Sequence, residues 1–145
     1  MNKIKRYKDF KGRDYILDEV NDIVEGTLAY LSDEGFVFSA ETLFNDVLIF
    51  INKIPKGVSP PFDYDPFSWL DVKEYVISLF ERLEKAFNDF NIKAFIKIGS
   101  HYKSSGNLYN YRDKEITYKE MLDFSDDDQI VKKGQYIYGI RICLS

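Results

Sequence analysis

A chain of 145 residues, 45% apolar and 30% charged, is long enough for one domain whose core needs no covalent staples. Its single cysteine, Cys143, excludes an internal disulfide and a thiolate zinc cage, and reads as a small hydrophobe near the end of an apolar strand. The net charge of −4 is uneven: residues 1–13 set six cations against Asp9 alone, so the remainder carries −9 and disfavours non-specific phosphate binding.

Residues 1–13 form a basic arm with Ile4, Tyr7 and Phe10 three apart, and the domain proper runs from 14 to 145. From Asp14, a plausible N-cap, the spacing predicts a helix. Leu17, Val20, Val24, Leu28 and Leu31 make its apolar stripe, widened by Ile16, Ile23 and Tyr30. Gly26 interrupts it, which points to close packing there, and Gly35 stops it. Phe36 to Ala40 and Val47 to Ile51 are rich in β-formers and predict a hairpin, although a helix through Glu41 to Lys53 fits the pattern as well. A proline-rich loop follows.

Ser68 and Asp71 resemble a capping box. The helix they open carries Val72, Val76, Leu79, Phe80, Leu83, Phe87 and Phe90 on one face. Ile92 to Ile98 alternates as a half-buried strand, with Ile96 on one side and Lys93, Phe95 and Lys97 on the other. Segment 99–134 reads as a long irregular loop with at most one short helix near Tyr118 to Phe124. Tyr136 to Leu144 alternates again, placing Tyr138 with Ile140, Ile142 and Leu144, and Ile137 with Gly139 and Arg141. Two α-β-β units result. The expected fold is α+β, a four-stranded antiparallel sheet with two helices on one face, in a circularly permuted ferredoxin-like order.

Catalytic groups find little support. His101 is the only histidine and has no cysteine near it, and Ser100, Ser104 and Ser105 lack a nucleophile-elbow frame. Asp123, Asp126, Asp127 and Asp128 cluster, but an EF-hand's glycine and distal glutamate are missing, and a solvated acidic turn explains them. An enzyme built on Asp123 and Asp126 is therefore the weakest reading. Glycine-rich phosphate loops are absent from the sequence, so no cofactor is expected. No apolar run approaches a membrane span and no apolar signal core opens the chain, so a cytosolic protein without membrane contact is expected.

The aromatic content is the unusual feature: 17% of residues, with 12 Phe and 11 Tyr, need a core or a partner to cover them. With the helices on the Ile96 side, the other sheet face displays Leu48, Phe50, Phe95 and Arg141. Tyr102, Tyr109, Tyr111 and Arg112 of the long loop are placed to fold over it. That set predicts a protein partner, a second copy of the chain included. Lys93, Phe95, Lys97, Lys103, Arg112 and Arg141 offer the alternative, single-stranded nucleic acid stacked on rings between cations, though the acidic body opposes it.

Two stretches, Lys3-Ile4-Lys5-Arg6-Tyr7-Lys8-Asp9-Phe10 and Tyr30-Leu31-Ser32-Asp33-Glu34-Gly35-Phe36, together with the helix Asp71 to Phe90, resemble small uncharacterised proteins of large tailed bacteriophages. The resemblance covers about half of the chain and involves patterning rather than catalytic residues. It carries no known activity across and implies a viral accessory or virion-associated protein, found in the host cytoplasm or the virion; the lack of catalytic groups makes a non-enzymatic role the expectation.

Overall fold

The computed structural model describes residues 10–57, 64–100 and 111–145. The elements are α1 (Phe10–Ser32), β1 (Phe36–Leu43), β2 (Asp46–Lys53), α2 (Trp69–Ala86), β3 (Ile92–Ser100), β4 (Arg112–Ile116), α3 (Tyr118–Asp123), a 3-10 turn (Asp127–Gln129) and β5 (Gln135–Leu144). The strands form one antiparallel sheet in the order β1-β2-β5-β3-β4. The α+β class is as expected, but the sheet has five strands rather than four. The added strand, β4, comes from the 99–134 segment, which is therefore not an irregular loop throughout. It carries β4, α3 and the 3-10 turn, and Met121 and Ile130 from it are buried in the core.

α1 begins at Phe10, four residues before the expected Asp14 cap; the rest of the basic arm, residues 1–9, lies outside the described residues. Its stripe packs as the spacing predicts, with Ile16, Val20, Val24, Leu28 and Leu31 at 3% exposure or less. Tyr30 does not join it and is 74% exposed. Gly26 is not tightly packed either: a β-carbon there would meet nothing nearer than the Arg82 Nη1 at 3.9 Å. Thr27, the one buried polar residue near it, accepts a hydrogen bond from Arg82 Nη1 at 3.1 Å and ties α1 to α2.

The segment after α1 is a hairpin and not the alternative helix. Leu43 pairs with Asp46, so Phe44 and Asn45 make a two-residue turn. Phe44 has φ 55, the only positive φ at a non-glycine among the described residues. A positive φ confined to the first central position is the type II′ arrangement, where glycine is the usual occupant.

At the head of α2, Asp71 accepts the Ser68 N–H at 3.3 Å, as a capping box requires. The Ser68 hydroxyl turns elsewhere. It donates to Asp127 at 3.3 Å, and the same carboxylate oxygen accepts the Trp69 N–H at 2.7 Å. One member of the acidic cluster thus caps a helix, where the dipole favours it. The remaining α2 stripe packs on the sheet with α1 in a single core that includes Ile49, Ile51, Ile96, Ile98, Ile140 and Ile142. Burial of each such side chain contributes about 1.5–3 kcal/mol.

β5 departs from simple alternation. Gly139 pairs with Lys97 and Ile137 with Ile98, so Tyr138 is an extra residue in a β-bulge. Ile137, at 1% exposure, therefore joins the core, and Tyr138 packs outside it, edge-on to Tyr111 with ring centroids 5.3 Å apart. The plain alternation placed both on the wrong side. Among the described residues, no helix is long and apolar enough to cross a membrane.

Candidate functional site: the open sheet face

The helices cover one side of the sheet, and register defines what the other side displays. One row across it reads Ser39, Phe50, Arg141, Phe95 and Glu115. The next contains Val37 beside Asn52, then Gly139, Lys97 and Asp113. Above these rows lies a depression of about 490 Å³, lined by residues of β1, β2, β3, β4 and β5 together with Tyr64 and Tyr111.

Two glycines shape it by close approach. A β-carbon on Gly99 would come within 2.6 Å of the Tyr111 ring, so that ring rests close against bare backbone. A β-carbon on Gly139 would meet Asn52 Nδ2 at 2.6 Å. Gly139 therefore lets the Asn52 amide reach over and donate to the Tyr138 carbonyl at 3.2 Å. The bulge and these close contacts together build the corner of the site where Tyr111, Tyr138 and Asn52 meet.

Arg141, Asp113 and Lys97 are held by neighbours on this face. Arg141 lies over the Phe95 ring, 4.6 Å from its centroid, and its Nη2 is 3.2 Å from Asp113 Oδ2. With these side chains 34% and 42% exposed, the ion pair contributes less than about 1 kcal/mol. Its consequence is orientation: the guanidinium is stacked and anchored, and its buried Nε has no hydrogen-bond partner. Lys97 Nζ sits 4.6 Å from the Tyr111 ring centroid. By register, Lys93, Lys97 and Arg141 share the face with Glu41, Asp46, Asp113 and Glu115, so it carries no excess of positive charge. Cys143 Sγ lies 3.9 Å from Asp46 Oδ2; burial and then that carboxylate push its thiol up, which keeps it protonated and a poor nucleophile.

Of the residues singled out from the sequence, Phe50, Lys97, Tyr111, Arg112 and Arg141 line the depression. Phe95 lies beneath Arg141. Leu48 is 9% exposed and pairs with Cys143, and exposed Lys93 flanks the same cysteine, both away from the depression. Arg112 pairs with Ile98, a core position, so it alternates with the helix side and contributes only at the rim. Tyr102, Lys103, Tyr109 and His101 lie outside the described residues. Sequence reasoning missed Ser39, Asn52, Tyr64 and Asp113, and placed Gly139 beside Arg141 without singling it out. Asn52 was within reach, since it stands two residues from Phe50, which alternation had already placed on this face.

Among the described residues, no group of three or more His, Cys, Asp or Glu side chains is gathered to hold a metal ion. The face thus presents aromatic rings with cations held over them around the depression. Comparison with protein-family models, with curated proteins and with solved structures finds no match.

Proposed function

We propose that this chain is a non-enzymatic interaction protein that binds another protein through the open sheet face. The carrying observation is the self-compensated patch: Arg141 on Phe95 and Asp113, and Lys97 on Tyr111, around the 490 Å³ depression. A guanidinium held over a ring and paired with an acid, and an ammonium held over a second ring, offer amphipathic contact area with part of its charge already compensated. Tyr, Phe and Arg in such settings are the residues most enriched at interface cores. An accessory or virion-associated role, as in the phage proteins the chain resembles, belongs to the same proposal. The test is retention of a purified partner by the full chain. Phe50→Glu and Tyr111→Ala should each abolish it while the thermal melt stays unchanged; retention by both variants would overturn the reading.

Single-stranded nucleic acid is the second reading, favoured by the two stacked cation–ring pairs and opposed by Asp113 and Glu115 beside them. Salt-sensitive oligonucleotide binding by the unmodified chain would support it.

For the architecture, we read a circularly permuted ferredoxin-like sandwich. Begun at β5, the order β5-α1-β1-β2-α2-β3 is β-α-β-β-α-β, and the neighbour order β1-β2-β5-β3 supports that reading, with β4 an addition at the edge.

A further inference from the structure

The sheet has two outer edges, and they are guarded differently. β4 reads Arg-Asp-Lys-Glu-Ile, charged at every position but the last, which discourages a further strand from pairing with it. β1 reads Phe-Val-Phe-Ser-Ala-Glu-Thr-Leu, eight residues with Glu41 as the only charge and neither proline nor lysine. Among the described residues, no strand pairs with its outer side.

Two hydrogen bonds at the base of the hairpin fix which amides of β1 point outward. Ile54 N–H donates to the Gly35 carbonyl at 2.9 Å, so Gly35 faces β2. Lys53, opposite Phe36, turns its carbonyl the other way, to the Asp65 N–H at 2.8 Å. Phe36 therefore makes no ladder bonds to β2, and by the two-residue repeat Phe38, Ala40 and Thr42 also direct N–H and C=O away from the sheet.

We infer that β1 pairs antiparallel with β1 of a second copy of this chain, about a twofold axis at Ala40, so that one sheet runs through both molecules. In that register Ala40 meets Ala40 and Phe38 meets Thr42, each with outward amides and carbonyls matched. Between them, at the closely spaced positions, Val37 meets Leu43 and Ser39 meets Glu41. Val37 and Leu43 are 37% and 50% exposed in the single chain, and the twofold covers each with the other twice. Glu41 meets a hydroxyl rather than a second carboxylate. The neighbouring register, with Ser39 on Ser39, sets Val37 against Glu41 and leaves Leu43 beyond the paired strand. The self-complementarity is isologous, as a closed dimer requires. This contact uses the edge of the sheet and is independent of the reading given to its open face.

The experiment is sedimentation equilibrium on the full chain over a wide concentration range, with residue-resolved amide exchange. Ala40→Pro removes an outward N–H without touching the β2 ladder, a placement edge strands tolerate. Val37→Lys puts a charge at the seam and leaves the hairpin's own bonds alone. The expected result is a dimer in which the Phe38, Ala40 and Thr42 amides exchange slowly, and a dissociation constant raised at least about tenfold in both variants. If Ala40→Pro fails to fold, Val37→Lys decides alone. A chain that stays monomeric at every concentration overturns the inference. So does a dimer that Val37→Lys leaves intact, or one in which those three amides exchange freely.

Discussion

The two faces of this sheet are drawn from the same strands and hold their residues by different means. The helix side is aliphatic: Ile49, Ile96, Ile98 and Ile142 are fully buried, and packing alone fixes them. The open side is half-buried and mixed, and there Arg141 and Asn52 are each fixed by a specific neighbour, a ring under a guanidinium and an amide on a carbonyl. The difference teaches that order need not come from burial. The helix face supplies stability, while the open face achieves definite geometry with little stability at stake.

Four measurements would break or sharpen that contrast. The largest effect belongs to Ile142→Ala, at 0% exposure, with an expected loss of about 2–5 kcal/mol in urea unfolding. Trp69, fully buried and the only tryptophan, provides the fluorescence signal. Phe95→Ala, in the neighbouring strand on the open side, should cost roughly a third of that; an equal loss would make the open face part of the core.

Next comes Gly99→Ala, which drives a methyl into the Tyr111 ring and should destabilise by about 1–3 kcal/mol. Adding Tyr111→Ala should recover most of it, and a strictly additive double variant would show that the ring does not rest where the open face needs it. Asp113→Ala is smaller, below about 1 kcal/mol, because its partner is part-exposed. Its sharper readout is charge: it frees Arg141, so weak salt-sensitive oligonucleotide binding should appear or strengthen.

The smallest effect is in pH, with one group from each side of the sheet. The Tyr118 hydroxyl is pushed up by its hydrogen bond to Glu81 on the helix side, and the Cys143 thiol by burial on the open side. Both raised groups favour the protonated folded state. Their contribution is complete at neutral pH and is lost as pH rises beyond the ordinary thiol range near 9 and then the phenol range near 10. Unfolding midpoints should therefore fall in that window, less steeply in Tyr118→Phe and Cys143→Ser.

Periodicity made the helices, β3 and the outer half of β5 legible, because a face buried against one layer imposes a period of two or 3.6 on apolar residues. β4 was illegible for the opposite reason. An edge strand bonded on one side only can consist of Arg, Asp, Lys and Glu, which carry no strand signal. Phe50, Phe95, Lys97 and Arg141 could be placed on the open face from alternation alone. Asp113 could not, since it reaches Arg141 only because β4 exists. Tyr138 defeated the alternation outright: a bulge adds a residue without marking the sequence. Asp127 as a helix cap depends on a contact spanning 58 positions, beyond any local pattern.

That bulge bears on how the chain tolerates changes of length. Remove Tyr138, and Gly139 still faces Lys97 while Ile137 still faces Ile98, so both halves of β5 keep their partners. The sheet does not need this residue; the site corner does, because it supplies the ring beside Tyr111 and the carbonyl that Asn52 holds. A single-codon deletion of Tyr138 is thus expected to remove the corner while both halves of β5 keep their pairing. At this point in the molecule, the count of residues as well as their kind determines what the surface presents.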